Sequence, residues 1–236
     1  MPQRLILPFA SSQLNAGYKM PKYKQQWGFA HYGVDFIEVN KQRTVYASGS
    51  GRVVAAGMDG ATSSQRLGIC VLVVYPDVRL PDGRVMDLAC RMFHFDSIAC
   101  KAGDVLQAGT VLGQYGSTGA HSSGPHLHLE FDSDIKYPQY AFGLAQSGNI
   151  IKKGGVDSTI DPCKIFWRGQ GQTLTTQAAW IAEGWVNAQS LQLPAVPNDT
   201  ANQEELDTLK AQLAQAQEEQ KRLTALVAHL HLLTAP

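Results

Sequence analysis

The sequence has no excess of either charge and no long apolar segment near its start. Twenty Lys and Arg residues balance twenty Asp and Glu residues, so the chain lacks the basic field that nucleic acid attracts, and we expect no DNA or RNA partner. The first residues, MPQRLILPFASSQ, hold one Arg and few apolar residues, far short of a secretory signal or a membrane span. We therefore expect no signal peptide and no transmembrane segment.

The four cysteines lack the C-x-x-C spacing of zinc sites and thioredoxin-type redox pairs. Without a secretory signal to place the chain in an oxidising compartment, we interpret them as reduced core thiols. Should they oxidise, sequence alone cannot choose among the possible pairings. One geometric hint favours Cys70 with Cys90, which would face each other in a hairpin turning near Leu80.

Short β-type runs occupy the chain from about Thr44 to Phe131. Clusters of Gly, Pro, Asp and Ser separate them, which is typical of an all-β domain with an antiparallel sheet. The runs are TVYA, GRVVAAG, LGICVLVVY, MDLACRMFHF and HLHLEF. Residues 67–95 predict a long hairpin, because PDG at 81–83 supplies turn chemistry. The glycine-rich segment from Gly113 to Gly124 predicts a loop that leads into the next strand.

The pattern changes after Phe166. A segment with Trp180 and Trp185 precedes LPAVPNDTAN, whose prolines and polar residues indicate a linker. Residues 203–233 then place apolar residues three and four apart, which predicts an α-helical coiled-coil tail able to self-associate or dock to a larger assembly. A lone amphipathic helix is the alternative. We predict a main domain over 1–170, a connecting segment over 171–202 and the helix over 203–233.

Five of the seven histidines precede Phe131. His31 and Asp35 flank Gly33 in HYGVD, so we expect them where a loop enters a strand at about 34–39. Another histidine, His94, lies in MFHF.

The HLHLE segment holds a second pair of histidines. A strand there places His126, His128 and Glu130 on one face, because side chains alternate with a period of two. Two histidines and one aspartate would give zinc three ligands and leave the fourth position to water, the arrangement of a catalytic site.

These motifs resemble the lysostaphin-type (LytM-like) zinc endopeptidases, which hydrolyse peptidoglycan peptides. The resemblance runs from roughly Trp27 to Phe131 and rests on HYGVD, the later His94 and GSTGAHSSGPHLHLE. It implies the lysostaphin-type peptidase fold, one zinc ion and a peptidoglycan peptide substrate in the bacterial cell wall.

The family pattern also implies residue roles. His31, Asp35 and His128 would bind the zinc ion, while His94 and His126 would stay off the metal as catalytic residues. Such a metal lowers the pKa of its water and polarises the scissile carbonyl.

Some positions stay open or depart from the pattern. Glu130 either hydrogen-bonds a ligand histidine or is a solvated carboxylate at a strand end. Family members often have a tyrosine two positions before the histidine that matches His94, where this chain has Met92, so the role of a tyrosine on that strand is in doubt. His121 is interpreted as a loop residue, and His229 and His231 as helix residues.

Two other functions compete with this interpretation. A non-haem iron enzyme also uses two histidines and one carboxylate, and an inactive member of the same fold could serve as a structural or binding module. The lack of a signal sequence favours delivery by lysis, on a phage or tail-like particle, or by non-classical export.

Overall fold

The computed structural model describes residues 1–58, 67–135, 157–176, 191–197, 208, 211–212 and 214–224. The chain divides into two compact units, Met1–Val196 and Pro197–Pro236. Within the described residues, no helix combines the length and the apolar character that crossing a membrane requires.

In its described residues, the first unit is built almost entirely of strands, with one short α-helix and one 3-10 turn. The α-helix, α1, covers Pro21–Trp27, and the 3-10 turn covers Pro162–Lys164. The strands are β1 (Ser11–Ala16), β2 (Val34–Glu38), β3 (Thr44–Tyr46), β4 (Gly51–Met58), β5 (Ile69–Arg79), β6 (Val85–Ile98), β7 (Val105–Leu106), β8 (Val111–Tyr115), β9 (Leu127–Asp132), β10 (Thr159–Ile160) and β11 (Thr173–Thr176).

These strands form one sheet in the order β11-β1-β2-β9-β6-β5-β4-β7, with β10 beside β9 and β8 beside both β3 and β6. Among the paired strands, β1 and β11 run parallel, and the others pair antiparallel. The prediction of a mostly antiparallel all-β domain is confirmed.

The predicted hairpin is present as β5 and β6, but its turn lies slightly later than assumed. Leu80 N–H donates to the Arg84 carbonyl at 2.8 Å, and Arg79 pairs with Val85. Cys90 consequently faces Val73, while Cys70 faces Gly57 on β4. Cys70 and Cys90 therefore do not face each other in the hairpin, and the geometric reason for pairing them was wrong.

The glycine-rich loop is also shorter than predicted, because Gly113 lies within β8. A Cβ at Gly113 would lie 2.1 Å from the Ser97 carbonyl oxygen on β6. Its φ of 152° lies where L side chains rarely fit. The loop therefore begins after Tyr115.

Residues 172–176 contact the first strand and the residues that precede it. Strand β11 pairs with β1, and the Gln172 side-chain amide donates to the backbone carbonyls of Leu7 and Phe9 at 2.8 and 3.0 Å. The unit thus includes a strand that follows the boundary predicted near Gly171. The segment with Trp180 and Trp185 lies outside the described residues.

After Pro197, the described residues of the second unit are 208, 211–212 and 214–224, and they are helical and exposed. Gln220 and Leu223, two positions of the predicted seam, are among these exposed residues, with Leu223 53% exposed. The coiled coil over 203–233 stays a prediction, because much of it, including His229 and His231, lies outside the described residues.

The core of the first unit holds the strand that bears the HLHLE motif. Leu127, Leu129 and Phe131 are all fully buried in the main apolar cluster. The alternate residues of β9 point the other way, as the two-residue period predicts. Apolar packing on one face of β9 therefore fixes the polar side chains on the other.

We expect Leu129→Ala to lower the free energy of unfolding by about 2 to 5 kcal/mol, because it leaves a cavity beneath the central strand. Val105→Ala is the control, since Val105 is 74% exposed and surface changes stay within about 0.5 kcal/mol. Urea unfolding followed by tryptophan fluorescence measures both. Equal effects of the two substitutions would contradict this account of the core.

Candidate metal centre

Three strands at the middle of the sheet bring the candidate residues together. Asp35 on β2 is the register partner of His128 on β9. On the other side of β9, Phe93 on β6 is also paired with His128. His31 sits in the loop that enters β2. Sheet register therefore sets the approach of Asp35 to His128, although 93 residues separate them in sequence.

Three potential ligand atoms form a small triangle. His31 Nε2 lies 3.1 Å from Asp35 Oδ1 and 3.0 Å from His128 Nδ1, and His128 Nδ1 lies 2.8 Å from Asp35 Oδ1. His31 is 1% exposed, His128 7% and Asp35 9%. The three residues form a cluster that could hold a metal ion.

Both rings are oriented by partners on their far sides. The Gly17 carbonyl oxygen lies 2.7 Å from His31 Nδ1, and because a carbonyl only accepts, Nδ1 holds the proton and Nε2 is left with a lone pair. His128 Nε2 donates to Glu130 Oε1 at 2.9 Å, which turns Nδ1 towards Asp35 and His31. Partners of this kind orient metal-ligating histidines.

The donor set suits zinc. Zinc binds imidazole nitrogen and carboxylate oxygen at about 2.0 to 2.2 Å, so tetrahedral ligands lie about 3.3 Å apart. The three edges of the triangle, 2.8 to 3.1 Å, are a few tenths shorter, and a small outward movement of the rings would accommodate the ion. Three ligands leave one position for water or substrate.

The charges around His128 complement a cation. Burial opposes ionisation of Asp35, but His31 and His128 together hold the pKa of its carboxyl well below the usual value. Burial also works against a charged His128, yet hydrogen bonds to Asp35 and Glu130 raise its pKa to about 9. In the metal-free chain a proton on His128 balances the two carboxylates, and a divalent cation would replace that proton.

Glu130 is buried, which decides between its two interpretations. It is 4% exposed and accepts from His128, so it is not a solvated carboxylate at a strand end. Burial acts to raise its pKa, but Arg91 and His128 lower the pKa below the usual value. Arg91 on β6 is paired with Glu130 on β9 in the sheet.

The two remaining histidines of the motifs lie beside the cluster. His94 and His126 have ring centroids 4.7 Å apart, and His94 lies 6.1 Å from His128. The Thr118 and Gly124 carbonyl oxygens lie 2.8 Å from Nδ1 of His94 and His126 respectively. In each ring Nδ1 therefore donates, and Nε2 keeps the lone pair.

His94 reaches this position through an irregularity in β6. Its φ is 67°, a left-handed conformation uncommon outside glycine, and the pairing of β6 with β5 shifts register nearby. The bulge re-aims the side chain towards His126. Burial first, then the neighbouring His126 and His128, lowers the pKa of His94 to about 3, so this ring is neutral near neutral pH.

Gly33 has no room for a side chain. A Cβ there would lie 2.4 Å from the Leu129 carbonyl oxygen and 2.9 Å from His128 Nε2. The loop that bears His31 therefore packs directly against the backbone of β9. The glycine in HYGVD permits the approach of both ligand histidines.

A pocket of roughly 360 Å³ opens beside the cluster. Its lining includes Asp35, His126, Tyr23, Trp27 and His121. Tyr23 stacks on His31 with ring centroids 4.2 Å apart. Aromatic side chains from α1 thus extend from a candidate ligand to the outer wall of the pocket.

His121 belongs to the pocket as well as to its loop. Its ring contacts Phe29, with centroids 5.4 Å apart. The sequence did not distinguish His121 from an ordinary loop residue, because its partner Phe29 precedes it by ninety-two positions and comes from another loop. On β6, Met92 occupies the position where the family pattern often has a tyrosine, while Tyr23 of α1 contacts His31.

Part of this sequence is similar to known proteins. The pattern described as Peptidase family M23 matches residues 29–139. Lysostaphin of Staphylococcus simulans is 28% identical over 131 residues, 51% of this chain and 24% of lysostaphin. Glycyl-glycine endopeptidase ALE-1 of Staphylococcus capitis is 30% identical over 138 residues, 54% of this chain and 34% of that protein.

The chain thus spans about a quarter to a third of the length of these relatives. Among solved structures, the catalytic domain of Staphylococcus simulans lysostaphin is 27% identical, covering 58% of this chain and 78% of that one at a TM-score of 0.39. Residues 29–139, which match the family model, contain His31, Asp35, His94, His126 and His128. Residues 29–139 of this chain match the model of Peptidase family M23.

Proposed function

We propose that the chain is a zinc-dependent endopeptidase that hydrolyses peptide cross-links of bacterial peptidoglycan. His31, Asp35 and His128 would hold the metal, and His94 and His126 would be the catalytic residues. The observation that supports this most is the convergence of three ligand atoms within 3.1 Å of one another. The match of residues 29–139 to Peptidase family M23 and the endopeptidase name of one relative support the reaction class.

Bound zinc would polarise the scissile carbonyl and lower the pKa of water at the open position. His126 would take a proton in this step. Its Nδ1 donates to the Gly124 carbonyl oxygen, and its Nε2 lies 3.6 Å from Asp35 Oδ1 at the edge of the pocket. Water adds to the carbonyl carbon, its proton passes to Nε2, and the leaving amine takes that proton as the C–N bond breaks.

His94 is suited to a supporting role in the same step. Thr118 fixes its Nδ1 as the donor, which leaves Nε2 to accept a hydrogen bond in the buried space beside His126. Burial and the neighbouring His126 and His128 lower the pKa of His94 to about 3. The His94 ring therefore stays neutral and would orient the attacking water, while His126 takes the proton.

The cell-wall substrate brings a question of delivery. We keep release by lysis, transport on a phage or tail-like particle, or non-classical export as the accompanying hypothesis, with docking or self-association through residues 203–233. Detection of the native protein as an efficiently secreted, freely soluble species would contradict particle-borne delivery.

His128→Ala and His126→Ala form a matched pair on one strand. Both should reduce the release of new amino groups from purified peptidoglycan by at least about a hundredfold, the lower range for loss of acid–base catalysis. Only His128→Ala should lose most of its zinc, measured by metal analysis of the purified proteins. Equal zinc loss in both variants would contradict the division of roles.

Removal of the metal tests the zinc requirement. Dialysis against a chelator should abolish peptidoglycan hydrolysis, and zinc added without oxygen or a 2-oxo acid should restore it, because hydrolysis needs a Lewis acid and no oxidant. The released amino groups are counted before and after zinc addition. Recovery with iron alone would favour the competing oxygenase interpretation.

Replacement of an aromatic residue in the pocket lining tests whether the substrate binds in this pocket. Trp27 is 39% exposed in the pocket lining, so Trp27→Ala should raise KM for a soluble cross-linked peptide by about tenfold, equivalent to 1.4 kcal/mol of binding, with little change in kcat. Tyr46→Ala is a control of equal exposure, 38%, on β3. A loss of kcat at unchanged KM would place Trp27 in the chemistry instead.

A further inference from the structure

We propose that Arg91 is a positioning residue for the metal centre and that it acts on His128 through Glu130. This inference rests on the proposed function, since it assigns the residue that supports a zinc ligand. Arg91 lies outside the HYGVD and HLHLE motifs and does not line the pocket. Its position in the sheet links it to them.

A continuous line of contacts joins Arg91 to the ligand cluster. Arg91 Nη2 lies 3.1 Å from Glu130 Oε2, and the other oxygen, Oε1, accepts from His128 Nε2 at 2.9 Å. His128 Nδ1 then faces Asp35 at 2.8 Å. Glu130 thus divides its two oxygens between the guanidinium and the imidazole.

Backbone pairing keeps this line in place. Arg91 is the register partner of Glu130 between β6 and β9, and Phe93 is the partner of His128 two residues further on. Side chains of paired residues share a face of the sheet. The pairing of β6 with β9 therefore brings Arg91 and Glu130 together.

Stability alone does not account for a charged group here. Arg91 is 2% exposed, and a buried ion pair seldom stabilises a fold more than a well-packed apolar pair of similar size. The guanidinium also lies 3.6 Å from Asp132 Oδ2. One cation thus faces two carboxylates that follow His128 on the same strand.

The contact acts through charge more than through hydrogen-bond direction. Arg91 Nη2 and Glu130 Oε2 lie close, yet neither atom makes a hydrogen bond within the described part of the chain. The guanidinium therefore attracts the carboxylate and holds its second oxygen against His128 Nε2. With Nε2 donating, Nδ1 presents its lone pair to the metal.

The direction in which zinc affinity changes when Arg91 is replaced distinguishes a positioning role from a purely electrostatic one. Removal of a positive charge near a cation site would, by Coulomb attraction alone, tighten zinc binding. Loss of positioning would weaken it, because His128 would be free to turn its lone pair away. We infer that weakening prevails.

The experiment compares zinc Kd values, by competition with a fluorescent chelator, for the full chain and five variants. Arg91→Met and Glu130→Gln should each weaken zinc binding about 10- to 100-fold, the range for loss of a residue that supports a metal ligand. The double variant should bind no more weakly than Glu130→Gln, because Arg91 acts through Glu130. Arg91→Lys, which keeps the charge, should restore most of the affinity.

Arg84→Met is the matched control, since Arg84 forms an exposed ion pair with Asp82 at 2.7 Å and its zinc Kd should not change. A second readout is the visible absorption of the Co²⁺-substituted protein, which responds to ligand geometry and should change in Arg91→Met but not in Arg84→Met. A loss of folding stability alone would leave that spectrum unchanged.

Unchanged or tighter zinc binding in Arg91→Met would overturn the inference, as would a double variant that binds more weakly than Glu130→Gln. The charge-neutral double variant keeps this test available if Arg91→Met does not fold. Failure of the proposed function is distinct: the unsubstituted chain would then neither bind zinc nor hydrolyse peptidoglycan. If the unsubstituted chain is active and binds zinc, and Arg91→Met leaves zinc binding unchanged, only the role of Arg91 is refuted.

Discussion

The register between β2 and β9 is the constraint on which the site depends. It places Asp35 opposite His128, and a shift of one residue would turn every side chain of β9 to the other face of the sheet. The apolar residues Leu127 and Leu129, both fully buried, oppose such a shift because it would expose them. The hydrophobic core therefore specifies the metal-binding face as well as the stability of the sheet.

The same strand also concentrates charge in a buried region. Uncompensated carboxylates there would be costly, since burial penalises the ionised form by several kcal/mol per group. Arg91 compensates on one side, and a proton on His128 compensates on the other in the metal-free chain. The first charge is permanent, whereas the second can be exchanged for a metal ion.

Part of this arrangement could be predicted from sequence. Alternating β-type runs identified β3, β4, β5, β6 and β9, and the histidine spacing identified residues that the fold brings together. Other features depend on long-range pairing that no local pattern encodes. The short strands β7 and β10 have two residues each, and β11 is recognisable as a strand only because it pairs with β1.

Backbone detail was equally hidden. The left-handed conformation of His94 arises from register shifts between strands, and a run such as MFHF is typical of a regular strand. Cys90 lies opposite Val73. A hairpin turn only a few residues earlier or later would give Cys90 another partner. Arg91 gave no signal, because its importance follows from its partner on another strand and from the burial of both.

The pairing of β11 with β1 has a practical consequence for anyone who shortens this protein. A recombinant fragment that stops at residue 170 would remove the four-residue strand that covers β1 and the Gln172 amide that binds the carbonyls of Leu7 and Phe9. The newly uncovered strand would present unpaired backbone groups to solvent, a template for intermolecular β-pairing. Aggregation of such a fragment would then reflect its exposed sheet edge and reveal nothing about the metal centre.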